Sequence, residues 1–102
     1  MLTYYTIYRT EEKGEAAGLF IMDVDSGDAL VWSNRLHEWT YNPGLAVRFL
    51  DDYRNFGRYE ELGAAEVQPI AERLTGAALP GEAEVVGWFR GAAEARESTL
   101  DG

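Results

Sequence analysis

The chain has no cysteine, a single lysine and a single histidine, and each scarcity removes a class of chemistry. Without cysteine there are no disulfides, no thiolate metal ligands and no cysteine nucleophile. His37 has no second imidazole to share a zinc ion with, and its neighbour Glu38 does not supply the missing ligands. Lys13 stands in a polar segment outside any Gly-x-x-x-x-Gly-Lys context, so a phosphate-cradling loop is not expected. Apolar runs are short. The longest, Ala16 to Met22, falls far below the roughly 18 residues of a membrane span. The opening residues, MLTYYTIYRT, carry no basic stretch before their apolar part, which argues against a secretory leader. A cytoplasmic location is the expectation.

What is present suits one small globular domain. A chain of 102 residues buries roughly 60–70% of its extended surface on folding, enough for a single core. Hydrophobic residues at 46% and aromatics at 13% place it outside the disordered class. Eighteen acidic residues against nine basic ones leave a net charge of −9. The part up to Tyr59 carries −3 and the remainder −6, so acidity increases toward the C-terminal part. Such a field repels phosphates and anionic lipid, which argues against nucleic-acid and membrane partners and favours a basic protein. Acidity also keeps a small protein soluble, with no partner required. The near-absence of lysine among the basic residues, beside many Ala and Gly, points to a GC-rich bacterial genome.

Patterning along the chain predicts an α+β domain. Leu2 to Arg9 is dense in Tyr, Thr and Ile, residues suited to a pleated surface, and alternates Leu2, Tyr4, Thr6 and Tyr8 against Thr3, Tyr5, Ile7 and Arg9. Ala17 to Val24 reads as a more apolar, central strand, and Ala29 to Ser33 as a third strand after the Asp25–Asp28 turn. Asn34 to Asn42 has no clean period and is read as a loop or a short fourth strand around Leu36 to Trp39. Asn42 and Pro43 have the chemistry of an N-cap and a first helical position. Leu45, Ala46, Phe49, Leu50 and Tyr53 then recur at helical spacing. Tyr59 to Leu62 reads as a short edge strand, and Val67, Ile70, Ala71 and Leu74 mark a second helix in which Pro69 is awkward beyond the first turn. A third helix is expected over Gly81 to Arg90, with Val85, Trp88 and Phe89 on its apolar face and Gly91 as its stop. Gly87 and Gly91, four apart, would suit close approach to another backbone. Residues 1–91 form the expected domain and 92–102 a frayed tail. The architecture expected is an antiparallel sheet of three or four strands with two or three helices on one face. The bare face of the Tyr-rich first strand would then be a candidate interface.

No catalytic or metal-binding constellation stands out. Asp23, Asp25 and Asp28 around Gly27 superficially resemble the start of a calcium loop. Counted from Asp23, however, the fifth, sixth and twelfth positions are Gly27, Asp28 and Asn34, where the EF-hand needs a ligand, Gly and Glu. Ser33, His37 and Asp51 or Asp52 lack the strained Gly-x-Ser-x-Gly elbow of a hydrolase nucleophile. The informative feature is aromatic. Trp32, Trp39, Tyr41, Tyr53, Phe56 and Tyr59 fall within one segment, interleaved with Arg35, His37 and three asparagines. Such rings complete a core, or they form a platform for a ligand or a partner.

The favoured expectation is a non-enzymatic acidic binding module, of the immunity, antitoxin, inhibitor or accessory-subunit kind, engaging a basic protein without a cofactor. The alternative is a small-molecule-binding domain or an enzyme using the Trp32–Tyr59 segment. Candidate binding residues are Arg35, His37, Trp39, Tyr41, Glu72 and Glu84. A pocket lined by His37, Trp39 and Tyr41 would favour the alternative, and a flat or convex acidic face the first reading.

Overall fold

The fold is a five-stranded antiparallel sheet held between helices on both of its faces. The computed structural model describes residues 2–101, with side chains described over residues 2–95. Strands β1 (Leu2–Ile7), β2 (Gly18–Asp23), β3 (Ala29–Ser33) and β4 (Glu38–Tyr41) form a meander. Helix α1 (Pro43–Asp51) and a 3₁₀ turn (Tyr53–Asn55) lead to β5 (Tyr59–Leu62), followed by α2 (Ala64–Thr75) and α3 (Glu82–Asp101). The spatial order is β4-β3-β2-β1-β5, which makes β2 the central strand and places β4 and β5 at the edges. No helix among the described residues is long and apolar enough to cross a membrane.

The strand count of three or four is therefore corrected to five, and the single helical layer to two. The physical reason lies in β1 and β2. Tyr4, Leu19, Ile21, Leu30 and Trp32 face one way and pack against Val67 and Ala71 of α2 and Val85 and Phe89 of α3. Tyr5, Phe20, Met22 and Ala29 face the other way and pack beneath Ala46, Phe49 and Leu50 of α1. Phe20 stacks on Tyr5 at 4.7 Å and meets Phe49 edge-on at 6.2 Å. A strand apolar on both faces needs two covering layers, because each apolar face left in water forfeits its burial energy. The tyrosines of β1 thus lie in two cores, and no bare aromatic face exists on that strand. Burial raises the Tyr4 and Tyr5 phenols above their ordinary pKa, with Glu82 adding to the effect at Tyr4 and Glu61 at Tyr5.

Local signals explain most element ends. Asn42 caps α1, its side-chain oxygen accepting the Leu45 N–H at 3.2 Å, with Pro43 at the first helical position. Gly76 ends α2 in the left-handed region at φ 77°, where its N–H reaches the Glu72 carbonyl. Three expectations need correction. The fourth strand lies at Glu38–Tyr41, two residues beyond the segment expected. Tyr53 falls past the end of α1 in the 3₁₀ turn and is 77% exposed. Gly91 does not stop α3, which runs on to Asp101 through Ala92, Ala93, Glu94 and Ala95. An interior glycine weakens a helix by only about 1 kcal/mol, and the residues after it are strong helix formers. Gly87 and Gly91 face open space, with no neighbouring backbone near either. Pro69 sits inside α2, where it cannot donate to the Ala65 carbonyl. The expectation of a frayed tail over 92–102 falls largely on side chains outside the described residues.

Candidate functional site

The β3–β4 hairpin builds one wall of a groove. Its register sets Trp32 opposite Trp39 and Leu30 opposite Tyr41, so all four side chains share the sheet face that carries α2 and α3. The two indoles touch at 5.4 Å between centroids with their planes 70° apart, forming a corner. Trp32 is the deep member, only 8% exposed, and it donates its Nε1–H to Asn34 Oδ1 at 3.0 Å. Asn34 in turn donates to the Ala17 carbonyl at 3.0 Å, which ties the hairpin tip to the β1–β2 connection. Trp39 is half-buried.

The hairpin tip holds His37 in an uncommon conformation. Its φ is 55°, in the left-handed region, and its N–H donates to the Ser33 carbonyl at 2.7 Å to close the turn. Non-glycine residues in that region carry a steric cost on the order of 1–2 kcal/mol. The turn geometry thereby sets the imidazole edge-on to Trp32 at 5.1 Å. Tyr41 is held from two sides. Its hydroxyl donates to Asp28 Oδ1 at 2.5 Å, while its ring meets Phe89 of α3 at 6.1 Å. The other Asp28 oxygen accepts from the Ser26 hydroxyl at 2.9 Å, so the β2–β3 turn fixes the carboxylate that fixes the tyrosine.

The opposite wall comes from the helices. Trp88 of α3 is 41% exposed and faces the hairpin across the groove, beside Ala77 and Ala78 of the α2–α3 connection. That connection is pinned: the Ala77 N–H donates to Thr75 Oγ1 at 3.1 Å, and the Leu79 N–H to Gln68 Oε1 at 3.3 Å. The groove holds about 570 Å³ and is broadly open to solvent. This lies within the usual range for small-ligand sites, roughly 300–1,000 Å³, which are typically apolar with few polar groups. His37 and Glu38 are the ionisable lining residues apart from Tyr41. Among the described residues the His37 ring has no carboxylate hydrogen-bonded to it, so nothing orients it as a general base.

Of the residues singled out in the sequence, the fold brings His37, Trp39 and Tyr41 into this one groove. Arg35 belongs elsewhere. It lines a smaller cleft of about 240 Å³ with Leu36, Thr40 and Leu45, toward the α1 side. Glu72 and Glu84 are exposed on α2 and α3 and do not line the groove. Glu84 nevertheless lies one helical turn before Trp88, on the same side of α3. Trp88 was missed as a site residue because its spacing with Val85 and Phe89 assigned it to the apolar stripe. The hint available was Glu84 four residues before it, which marks a wetter side of the helix. Other charged groups are engaged away from the groove. Arg73 donates to the Ala16 carbonyl at 2.9 Å, and Arg54 pairs with Asp52 at 2.8 Å. The hydrogen bonds from Arg54 lower the Asp52 carboxyl to about 2.

No protein-family model matches this chain, and no curated protein or solved structure shows significant similarity to it.

Proposed function

We propose that this protein is a binding domain that takes a small, ring-bearing ligand into the groove between the β3–β4 hairpin and α3. One observation carries the reading: the corner made by Trp32 and Trp39 faces a third indole, Trp88, across a space of ligand size. Trp39 and Trp88 offer aromatic contact area from two elements, and the buried Trp32 backs Trp39 from the core side. Binding is favoured over catalysis because the groove supplies one imidazole without an orienting partner.

The test is a titration with benzyl alcohol as a neutral aromatic probe, followed by nuclear magnetic resonance of the indole Nε1–H signals. Trp39 and Trp88 should shift together and saturate. Trp88→Ala, at an exposed position, should weaken binding at least fivefold while leaving the fold intact. Shifts centred instead on the ring C–H signals of Tyr53 and Phe56, the exposed rings after α1, recorded in the same titration, would dispose of the groove as the site.

A second reading, an acidic module engaging a basic protein in the cytoplasm, is favoured by the net charge of −9 and by the exposure of Glu72 and Glu84. The two readings share Glu84 but part at Glu72, which does not line the groove, and are separable by experiment.

A further inference from the structure

We infer that the groove ligand is a cation: a small organic ammonium, quaternary or alkylated, carried on an apolar body. The inference rests on the groove being a binding site and names the chemical class that the site selects. Four observations carry it. First, the rings are arranged as walls and not as a stack. Trp32 and Trp39 stand 70° apart, and Trp88 comes from the opposite side. Aromatic faces carry negative quadrupole density, so the open parts of Trp39 and Trp88 around one space both attract a cation.

Second, among the described residues no Arg or Lys lines the groove, so none of those cations repels an ammonium there. Arg35, the nearest basic residue in sequence, lines a different cleft. Third, one carboxylate stands in the groove wall and a second lies one helical turn from Trp88. Glu38 is an exposed lining residue, and Glu84 lies one turn before Trp88 on the same side of α3. Fourth, the whole chain carries −9, so the surrounding potential concentrates cations of any kind. An alkylated ammonium meets this combination better than a bare one. It sheds water at less cost on entering an apolar wall, and its methyl groups fill space between indoles.

The experiment keeps one aromatic body and varies its charge. Benzyltrimethylammonium, benzyl alcohol and phenylacetate are titrated separately into the intact protein at fixed ionic strength, with Trp39 and Trp88 Nε1–H signals as the readout. The cation should bind about tenfold tighter than the alcohol, with the anion weakest. Trp88→Ala should weaken the cation most. The double variant Glu38→Gln/Glu84→Gln should reduce the preference for the cation several-fold, read as the ratio of the benzyltrimethylammonium and benzyl alcohol affinities. Glu61→Gln, on the opposite edge strand β5, should leave that preference intact. Equal affinity for all three probes would retain the groove as a site and overturn its cation selectivity. Tighter binding of phenylacetate would overturn it outright. A Glu61→Gln effect as large as that of the double variant would overturn the local assignment in favour of the general field. Absence of any shift at the groove indoles, with all three probes, would remove the groove reading itself.

Discussion

Trp32 and Trp39 stand opposite each other on neighbouring strands, yet they have different work. Trp32 is buried to 8% exposure and spends its only donor on Asn34, so it belongs to the core and to the hairpin's shape. Trp39 is half-buried and turns its open side to the groove. Trp32→Ala should cost about 3–5 kcal/mol, from lost burial and the cavity left behind. Trp39→Ala should cost clearly less, because part of its surface is already in water. Denaturant unfolding of both variants measures the difference directly. Equal, severe losses would place Trp39 in the core and remove it from the list of ligand contacts.

In helix α3, among the residues whose side chains are described, packing is concentrated in the first half. Val85 and Phe89 are buried, whereas Ala93, Glu94 and Ala95 are exposed and only Ala92 is half-covered. Truncation after Gly91 should therefore lower the thermal midpoint by less than about 8 °C, the shift usual for 1 kcal/mol at this size. A larger drop in a thermal melt would show that the second half of α3 docks. The same helix marks where the sequence was readable and where it was not. Caps and turns were readable, because Asn42-Pro43 and Gly76 act on their immediate neighbours. β1 was readable from its Tyr, Thr and Ile content, β2 from its continuous apolar run and β3 from the turn signal before it. The second helical layer was not read, since Tyr4 and Tyr5 show apolar character on both faces of β1 without saying what covers each. Half the groove was visible as the aromatic run from Trp32 to Tyr41. Its far wall was not, because Trp88 arrives from a remote part of the chain and only tertiary packing sets it there.

Across the whole molecule, the excess of acids has a local reason in part. Glu66 near the start of α2 and Glu82 near the start of α3 sit where the helix dipole favours negative charge, at about 0.3–1 kcal/mol each. Glu66 also accepts the Gly63 N–H at 3.4 Å. Glu72 has no such position, and Glu84 has Trp88 as its neighbour. If a basic protein is the partner, its association with this surface should slow as salt shortens the screening length to about 8 Å and below. Glu72→Lys with Glu84→Lys should slow it further without unfolding the domain. A partner recovered from the native host provides the material for kinetics across a salt series. An association rate indifferent to both changes would leave the acidity as a means of staying in solution.

The order of the strands also has a consequence in time. β1 pairs with β2 through a short connection, but its other edge waits for β5, where Ile7 meets Tyr59. At synthesis rates of about 5–20 residues per second, the fifty-one residues between those partners take about 3–10 s to add. For that interval the nascent chain carries an open edge of Thr and Tyr, a surface prone to pair with any passing strand. The strand that finally closes it brings Glu60 and Glu61, so the sheet's last piece is also the charged guard of its finished edge.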